Sequence, residues 1–265
     1  MRHRLGIVLS GGGSRGLAHA GVLAALAEHG LSPDVISGTS AGALVGALHA
    51  AGYGADDVLR FFEKTSPFHV SHLAAFGRPG WLDTEKIRAD FLEFFPEDSF
   101  EALGKPLFVS ATDLVNARLE VFSSGPLIRP LLASASVPLL FTPTAIDGSL
   151  FVDGGILDNF PIKPLAGLCD AVLGVYASPL NDVPVEKLDD SIAVTQRALE
   201  IGMFLASRRK FRHADLVLCP PELTRFGMFD AKRHAEILEI GRRAASERMD
   251  EIRALFARGG AAGHE

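Results

Sequence analysis

The chain has 265 residues, of which 48% are hydrophobic and 22% charged, with a formal net charge of −6. That acidic balance argues against nucleic acid as a partner and against electrostatic docking on anionic lipid, so any peripheral membrane contact is expected through apolar groups. No stretch approaches the roughly 18 unbroken apolar residues of a spanning helix, and Leu5 to Leu9 is too short for a signal-peptide core, which reads as a cytoplasmic chain.

Leu5 to Leu9 is predicted as a buried strand. Ser10-Gly11-Gly12-Gly13-Ser14-Arg15-Gly16 follows, then a helix over Leu17 to His29. A glycine-rich turn between strand and helix aims backbone N–H groups at one point and binds an anion. Three uses of that anion site compete. Gly11, Gly13 and Gly16 satisfy the dinucleotide fingerprint G-x-G-x-x-G, but its acidic partner belongs at the end of the second strand, and Asp34 lies at the start. The phosphate loop of nucleoside triphosphatases needs a terminal Gly-Lys-Ser/Thr, which is missing. An oxyanion hole needs nothing that is absent.

Asp34 to Ser37 is a second short strand and Ala41 to Ala51 a small, Leu-rich helix. Between them stands Gly38-Thr39-Ser40-Ala41-Gly42, a G-x-S-x-G pentad in the strand–turn–helix setting of a nucleophile elbow. Gly38 and Gly42 would permit the tight turn, leaving the Ser40 hydroxyl near a helix N-terminus whose field favours an alkoxide. The plainer reading is a close-packed Gly/Ser turn. Two strand–loop–helix units in succession imply a parallel sheet with both loops at its carboxyl edge, and a three-layer α/β/α architecture.

Gly54 to Thr65 is a predicted helix. Residues 66–81 lose periodicity and read as either a lid or membrane-facing loop over an apolar site or a loop folded onto the core; His69 and His72 there lack metal-spaced partners. Asp83 or Thr84 is expected to cap a helix through Phe95. Strands follow at Pro106 to Thr112 and Arg118 to Ser123, a short helix at Leu127 to Ala133, and a strand–turn–strand over Ala145 to Asp153 closing on Asp153-Gly154-Gly155. A helix is expected from about Pro161 to Leu168, a buried strand at Ala171 to Tyr176, and a loop over residues 179–188. A long helix over Ser191 to Phe211 ends in Arg208, Arg209 and Lys210, a cluster read as a solvated helix end or a phosphate contact. Leu216 to Leu218 is the last strand. Asp230 is expected to cap one final helix with Ile237, Gly241, Ala244, Ile252 and Leu255 on a stripe. Cys169 and Cys219 read as core fillers. No linker divides the chain, so residues 1–265 read as one domain.

A serine nucleophile needs a base. The late histidines His213, His234 and His264 lie in no Gly-flanked loop after a strand, and His19 and His49 lie inside helices, so a triad is poorly supported. Asp153 ends a strand before two glycines and could serve directly if burial lifts its pKa. Asp113 and Asp158 are weaker candidates, and a plain Asp-Gly turn, like Asp147-Gly148, is the competing reading.

Together these motifs resemble the patatin-like phospholipase family. Gly11 to Gly16 is similar to its G-G-G-x-R/K-G loop, Gly38 to Gly42 to its G-x-S-x-G elbow, and Asp153-Gly154-Gly155 to its D-G-G/A. Ala133-Ser134-Ala135-Ser136-Val137-Pro138 matches its A-S-x-S-x-P segment. The resemblance spans about Leu5 to Pro161. It implies a Ser40–Asp153 dyad hydrolysing phospholipid, lysophospholipid or other acyl esters without metal or cofactor. It also implies an oxyanion hole from the Gly11 to Arg15 loop, with the amides of Gly12, Gly13 and Ser14 as donors and Arg15 supporting them. The alternatives are a nucleotide-binding protein using Gly11 to Gly16 and a non-catalytic regulatory relative.

Overall fold

The computed structural model describes residues 3–65, 84–228, 230 and 232–261. Strand β1 (His3–Leu9) turns through the glycine loop into helix α1 (Leu17–Glu28), and β2 (Val35–Thr39) into α2 (Ala41–Ala50). Helices α3 (Ala55–Lys64) and α4 (Thr84–Phe94) precede β3 (Leu107–Asp113), β4 (Arg118–Phe122) and α5 (Ile128–Ser134). The hairpin of β5 (Thr144–Ile146) and β6 (Ser149–Asp153) runs into a single turn of helix, α6 (Gly155–Asp158). Then come β7 (Cys169–Val175), α7 (Ser191–Lys210), β8 (Leu216–Leu218), α8 (His234–Glu247) and α9 (Met249–Ala261).

The strands form one mixed sheet along the path β5-β6-β3-β2-β1-β7-β8, with β4 also paired to β3. The central pairings β3-β2-β1-β7-β8 are parallel, whereas β4, β5 and β6 join antiparallel. Side chains of β1 alternate between the two faces, as a pleated strand requires. Leu5, Ile7 and Leu9 enter a core shared with α1, α2, α5, α8 and α9. Val8 enters a second core with Phe160, Ile162 and Tyr176, against which Phe204 of α7 packs. Two apolar layers on opposite faces of one sheet make the expected three-layer arrangement. On the first face α1 and α8 cross at glycines: a Cβ at Gly21 would lie 1.9 Å from the Leu238 carbonyl, and one at Gly241 1.9 Å from that of Ala18.

Three local expectations are corrected. The helix foreseen over residues 161–168 is only a short 3-10 turn, Lys163–Leu165, because Pro164 interrupts it and Gly167 takes φ +77°. The final helix is two, broken at Arg248 (φ −114°, ψ 18°), and Ala245 rather than Ala244 is its buried alanine. Asp230 does not cap α8. Its carboxylate accepts from the Lys232 amide and pairs with Arg233, while Arg233 itself occupies the N-cap position. Cys169 is buried and Cys219 half-buried. The 66–81 segment, with His69 and His72, lies outside the described residues.

Candidate active site

The loop after β1 is held from several sides. The Gly11 N–H donates to Asn159 Oδ1 at 3.1 Å, and the Gly11 carbonyl accepts from the hydroxyls of Ser10 and Ser178, each at 3.0 Å. Arg15 is buried and folds back, its Nε donating to the Gly12 carbonyl at 3.3 Å while its guanidinium pairs with Glu200 at 3.5 Å. The Ser14 N–H donates to the Met228 carbonyl at 2.7 Å. This corrects one expectation: Ser14 has no amide to offer an oxyanion. The Gly12 and Gly13 N–H groups find no acceptor among the described residues.

At the end of β2, Ser40 adopts φ 53°, ψ −127°, a left-handed backbone that a residue with a Cβ visits at a cost of about 1–3 kcal/mol. The surroundings enforce it. A Cβ at Gly42 would lie 2.2 Å from the Leu9 carbonyl, and one at Gly38 2.7 Å from the Ala43 nitrogen, so strand and helix approach more closely than alanine allows. The Ser40 carbonyl accepts from Ala43 and Leu44, starting α2, and the Ser40 N–H donates to Ser134 Oγ at 2.8 Å.

Register explains how Asp153 arrives. Residues 109–110 of β3 pair with β2 and with β4, and residues 111–113 with β4 and with β6. A strand has two edges, so β2 and β6 share the edge opposite β4, end to end. Thr39 closes β2 opposite Ser110, and Asp153 closes β6 opposite Ala111. The strands run toward each other and stop at consecutive positions of β3. Ser134 fills the junction: its hydroxyl donates to the Ser110 carbonyl at 2.7 Å while accepting from Ser40. Ser136 fixes the other end, its carbonyl accepting from the Asp153 N–H at 2.9 Å.

The Asp153 carboxylate is buried, accepts at 2.7 Å from the Gly155 N–H, and has the Ser40 hydroxyl near enough to lower its pKa. Burial pushes its pKa up from 3.8 to about 6, against the pull of those two donors. The other carboxylates are engaged elsewhere. Asp113 holds the β3–β4 turn by accepting from the Val115 and Asn116 amides, and hydrogen bonds from Ser149 and Asn116 depress its pKa to about 2. Asp158 accepts from the Phe160 N–H and pairs with Lys210 at 2.7 Å. Asp34 accepts from the Leu5 amide at the opposite end of β1, away from the glycine loop.

No histidine hydrogen-bonds to Ser40 or Asp153 among the described residues. His19 lies 2.7 Å from the Ser10 carbonyl through Nε2, which must therefore carry the proton, and burial lowers its pKa to about 4. His49 is likewise lowered to about 4 by burial and by nearby Lys105. Among the described residues, no group of three or more His, Cys, Asp or Glu is arranged to hold a metal. Nor is any helix there long and apolar enough to cross a membrane.

Two polar residues at this site were missed as participants by the sequence reading. Ser134 lies in a segment that was noted, but its link to Ser40 depends on the strand junction. Asn159 follows Asp158 and accepts from the Gly11 N–H while its amide reaches the Tyr176 hydroxyl at 3.4 Å. A lone Asn before Phe-Pro carries no local signal of that role.

Comparison with known proteins points one way. A family model described as patatin-like phospholipase matches residues 7–166. An uncharacterized NTE family protein of Mycobacterium tuberculosis is 36% identical over 211 residues, covering 75% of this chain. This chain in turn spans only 58% of that relative's length. The lysophospholipase NTE1 of Cryptococcus neoformans is 29% identical over 286 residues, covering 93% of this chain and 17% of its own. Among solved structures, VipD from Legionella pneumophila superposes with a TM-score of 0.54 at 18% identity, over 95% of this chain and 67% of VipD, a likeness of fold.

Proposed function

Because this chain belongs to the patatin-like phospholipase family, we propose that it is a lipid acyl hydrolase in which Ser40 attacks the ester carbonyl and Asp153 serves as its base. The observation that carries the reading is the placing of Ser40, at a strained turn, beside a buried carboxylate whose pKa it helps to lower, with no histidine hydrogen-bonded to either among the described residues. A carboxylate with a pKa of about 6 is ionised at neutral pH yet more basic than an exposed aspartate, which suits it to accept the serine proton.

In the first half-reaction Ser40 Oγ bonds to the acyl carbon as its proton passes to Asp153. The oxyanion that forms on the carbonyl oxygen is held by the Gly12 and Gly13 amides, and the N-terminus of α2 beside Ser40 adds its positive end. Collapse breaks the bond to the alkoxy oxygen, which leaves as an alcohol with the proton from Asp153. In the second half, water attacks the acyl-Ser40 ester while Asp153 takes its proton. The carboxylic acid then departs, and the proton returns to Ser40. Arg15 contributes without touching substrate, since its hydrogen bond to the Gly12 carbonyl holds the loop that presents the amides.

The substrate class proposed is a phospholipid, lysophospholipid or simpler acyl ester, in keeping with the name of the fungal relative. The test is release of fatty acid from lysophosphatidylcholine and from p-nitrophenyl acyl esters. Wild-type protein should turn over both kinds of ester, and Ser40→Ala neither. Hydrolysis undiminished in Ser40→Ala would remove the serine from the chemistry.

A further inference from the structure

Helix α7 lies against the site with one face and carries exposed aliphatic side chains on the other. On its inner side Glu200 pairs with Arg15, Lys210 pairs with Asp158, and Met203 reaches within 2.8 Å of where a Cβ on Gly155 would stand. On its outer side Val194, Ile201 and Leu205 follow one another at helical spacing and are 50%, 38% and 50% exposed. Leu157 of α6, four residues after Asp153, is 45% exposed and stands on the turn that packs against α7. Leu157 thus adds another exposed aliphatic side chain at the margin of the site. At the C-terminal end of the same helix Arg208 and Arg209 are exposed and have no anionic partner among the described residues.

From this arrangement we infer that the outer face of α7 docks on a phospholipid surface. Aliphatic side chains along one face of a helix, with cations at its margin, match the layered chemistry of a lipid interface: acyl chains below, phosphates beside them. The two guanidinium groups supply planar donors for phosphate oxygens at the level where the stripe ends. The chain's net charge of −6 makes the apolar contact the main term. The preferred surface is consequently zwitterionic and its binding insensitive to salt.

The inference deepens the lipid-ester reading but is measured apart from it, because co-sedimentation with vesicles is read on Ser40→Ala protein. The expected result is that Ser40→Ala pellets with phosphatidylcholine vesicles, and equally well at low and high salt. Adding Ile201→Glu or Leu205→Glu should weaken that binding about tenfold or more, because a charge replaces apolar surface at the interface. Circular dichroism matching the parent verifies that each variant folds. Adding Arg208→Glu with Arg209→Glu should weaken it by a smaller factor. Three outcomes would overturn the inference: no pelleting, binding that needs phosphatidylglycerol and disappears in salt, or a dimer in solution that Leu205→Glu converts to monomer. Vesicle binding with no ester hydrolysis by wild-type protein would leave the docking face standing and sink the hydrolase reading instead.

Discussion

Ser40 and Asp153 lie 113 positions apart in the sequence and meet because β2 and β6 end at neighbouring residues of β3, Thr39 opposite Ser110 and Asp153 opposite Ala111. Two backbones that stop head to head leave a gap in the ladder, and a side chain from each reaches into it. The nearness of the serine and the carboxylate is thus a product of sheet register.

The burial that raises the pKa of Asp153 fixes a pH profile. The base must be ionised, so activity rises as pH passes through about 6 and levels above it. A plot of log kcat/KM against pH should therefore show one ionisation on the acid limb, of unit slope. A limb controlled by a histidine would survive in Asp153→Glu at its original position, whereas the carboxylate account moves it.

The same burial makes a stability prediction. With the folded pKa near 6 and the unfolded near 3.8, the native state keeps its proton in that interval while the unfolded chain releases it. This group's contribution therefore falls as pH rises from 3.8 to about 6, reaching a cost of about 3 kcal/mol at neutral pH. Asp153→Asn removes the charge and keeps the shape. It should lose activity by a factor of at least about 1,000 while unfolding at equal or higher denaturant concentration at pH 7. Loss of both activity and stability would assign Asp153 a structural role.

His19 acts in the opposite sense. Its folded pKa of about 4 lies below its ordinary 6.5, so its contribution is complete above 6.5 and is lost as pH falls toward 4. His19→Gln retains an N–H for the Ser10 carbonyl and has no proton to gain. The slope of unfolding free energy against pH between those limits should drop by about 1.4 kcal/mol per pH unit, measured by denaturant titration at several pH values.

Ser134 bridges Ser110 and Ser40 and touches no reacting atom, so it is a positioning residue. Ser134→Ala leaves the Ser40 N–H without its acceptor in a buried place, costing about 1–3 kcal/mol of stability. Displacement of the nucleophile should lower kcat about tenfold or more with little change in KM. Ser134→Thr, which restores the hydroxyl, should recover part of kcat; a purely packing role would make Thr the worse replacement.

Gly42→Ala tests the elbow itself. Its Cβ would meet the Leu9 and Ser10 carbonyls at 2.2 and 2.5 Å, both backbone atoms that cannot swing aside. The expected cost is about 2 kcal/mol or more by overpacking, seen as a fall in melting temperature.

Much of this site is legible in the residues because its constraints are local. Gly38 and Gly42 announce a turn too tight for a Cβ, and the Gly11 to Gly16 run announces exposed amides. Asp153 before two glycines is readable as a strand end. Other features are hidden because they depend on pairing across the fold: Ser134 beneath Ser40, Asn159 beneath Gly11, and Met228 taking the Ser14 amide that the loop sequence alone leaves unassigned. Helix ends were misread where a local signal lost to tertiary demands. Asp230 looks like a cap, but Arg233 competes for its carboxylate. The stripe through α8 and α9 keeps helical periodicity across Arg248, so periodicity could not reveal the break there.

The central claim is that a buried carboxylate alone activates Ser40, and reaction with a fluorophosphonate probe addresses it most directly. Tryptic mass spectrometry after labelling should find the probe on Ser40 in wild-type protein, with labelling abolished in Ser40→Ala and slowed by orders of magnitude in Asp153→Asn. Labelling of Asp153→Asn at the wild-type rate, or of a serine other than Ser40, would contradict it.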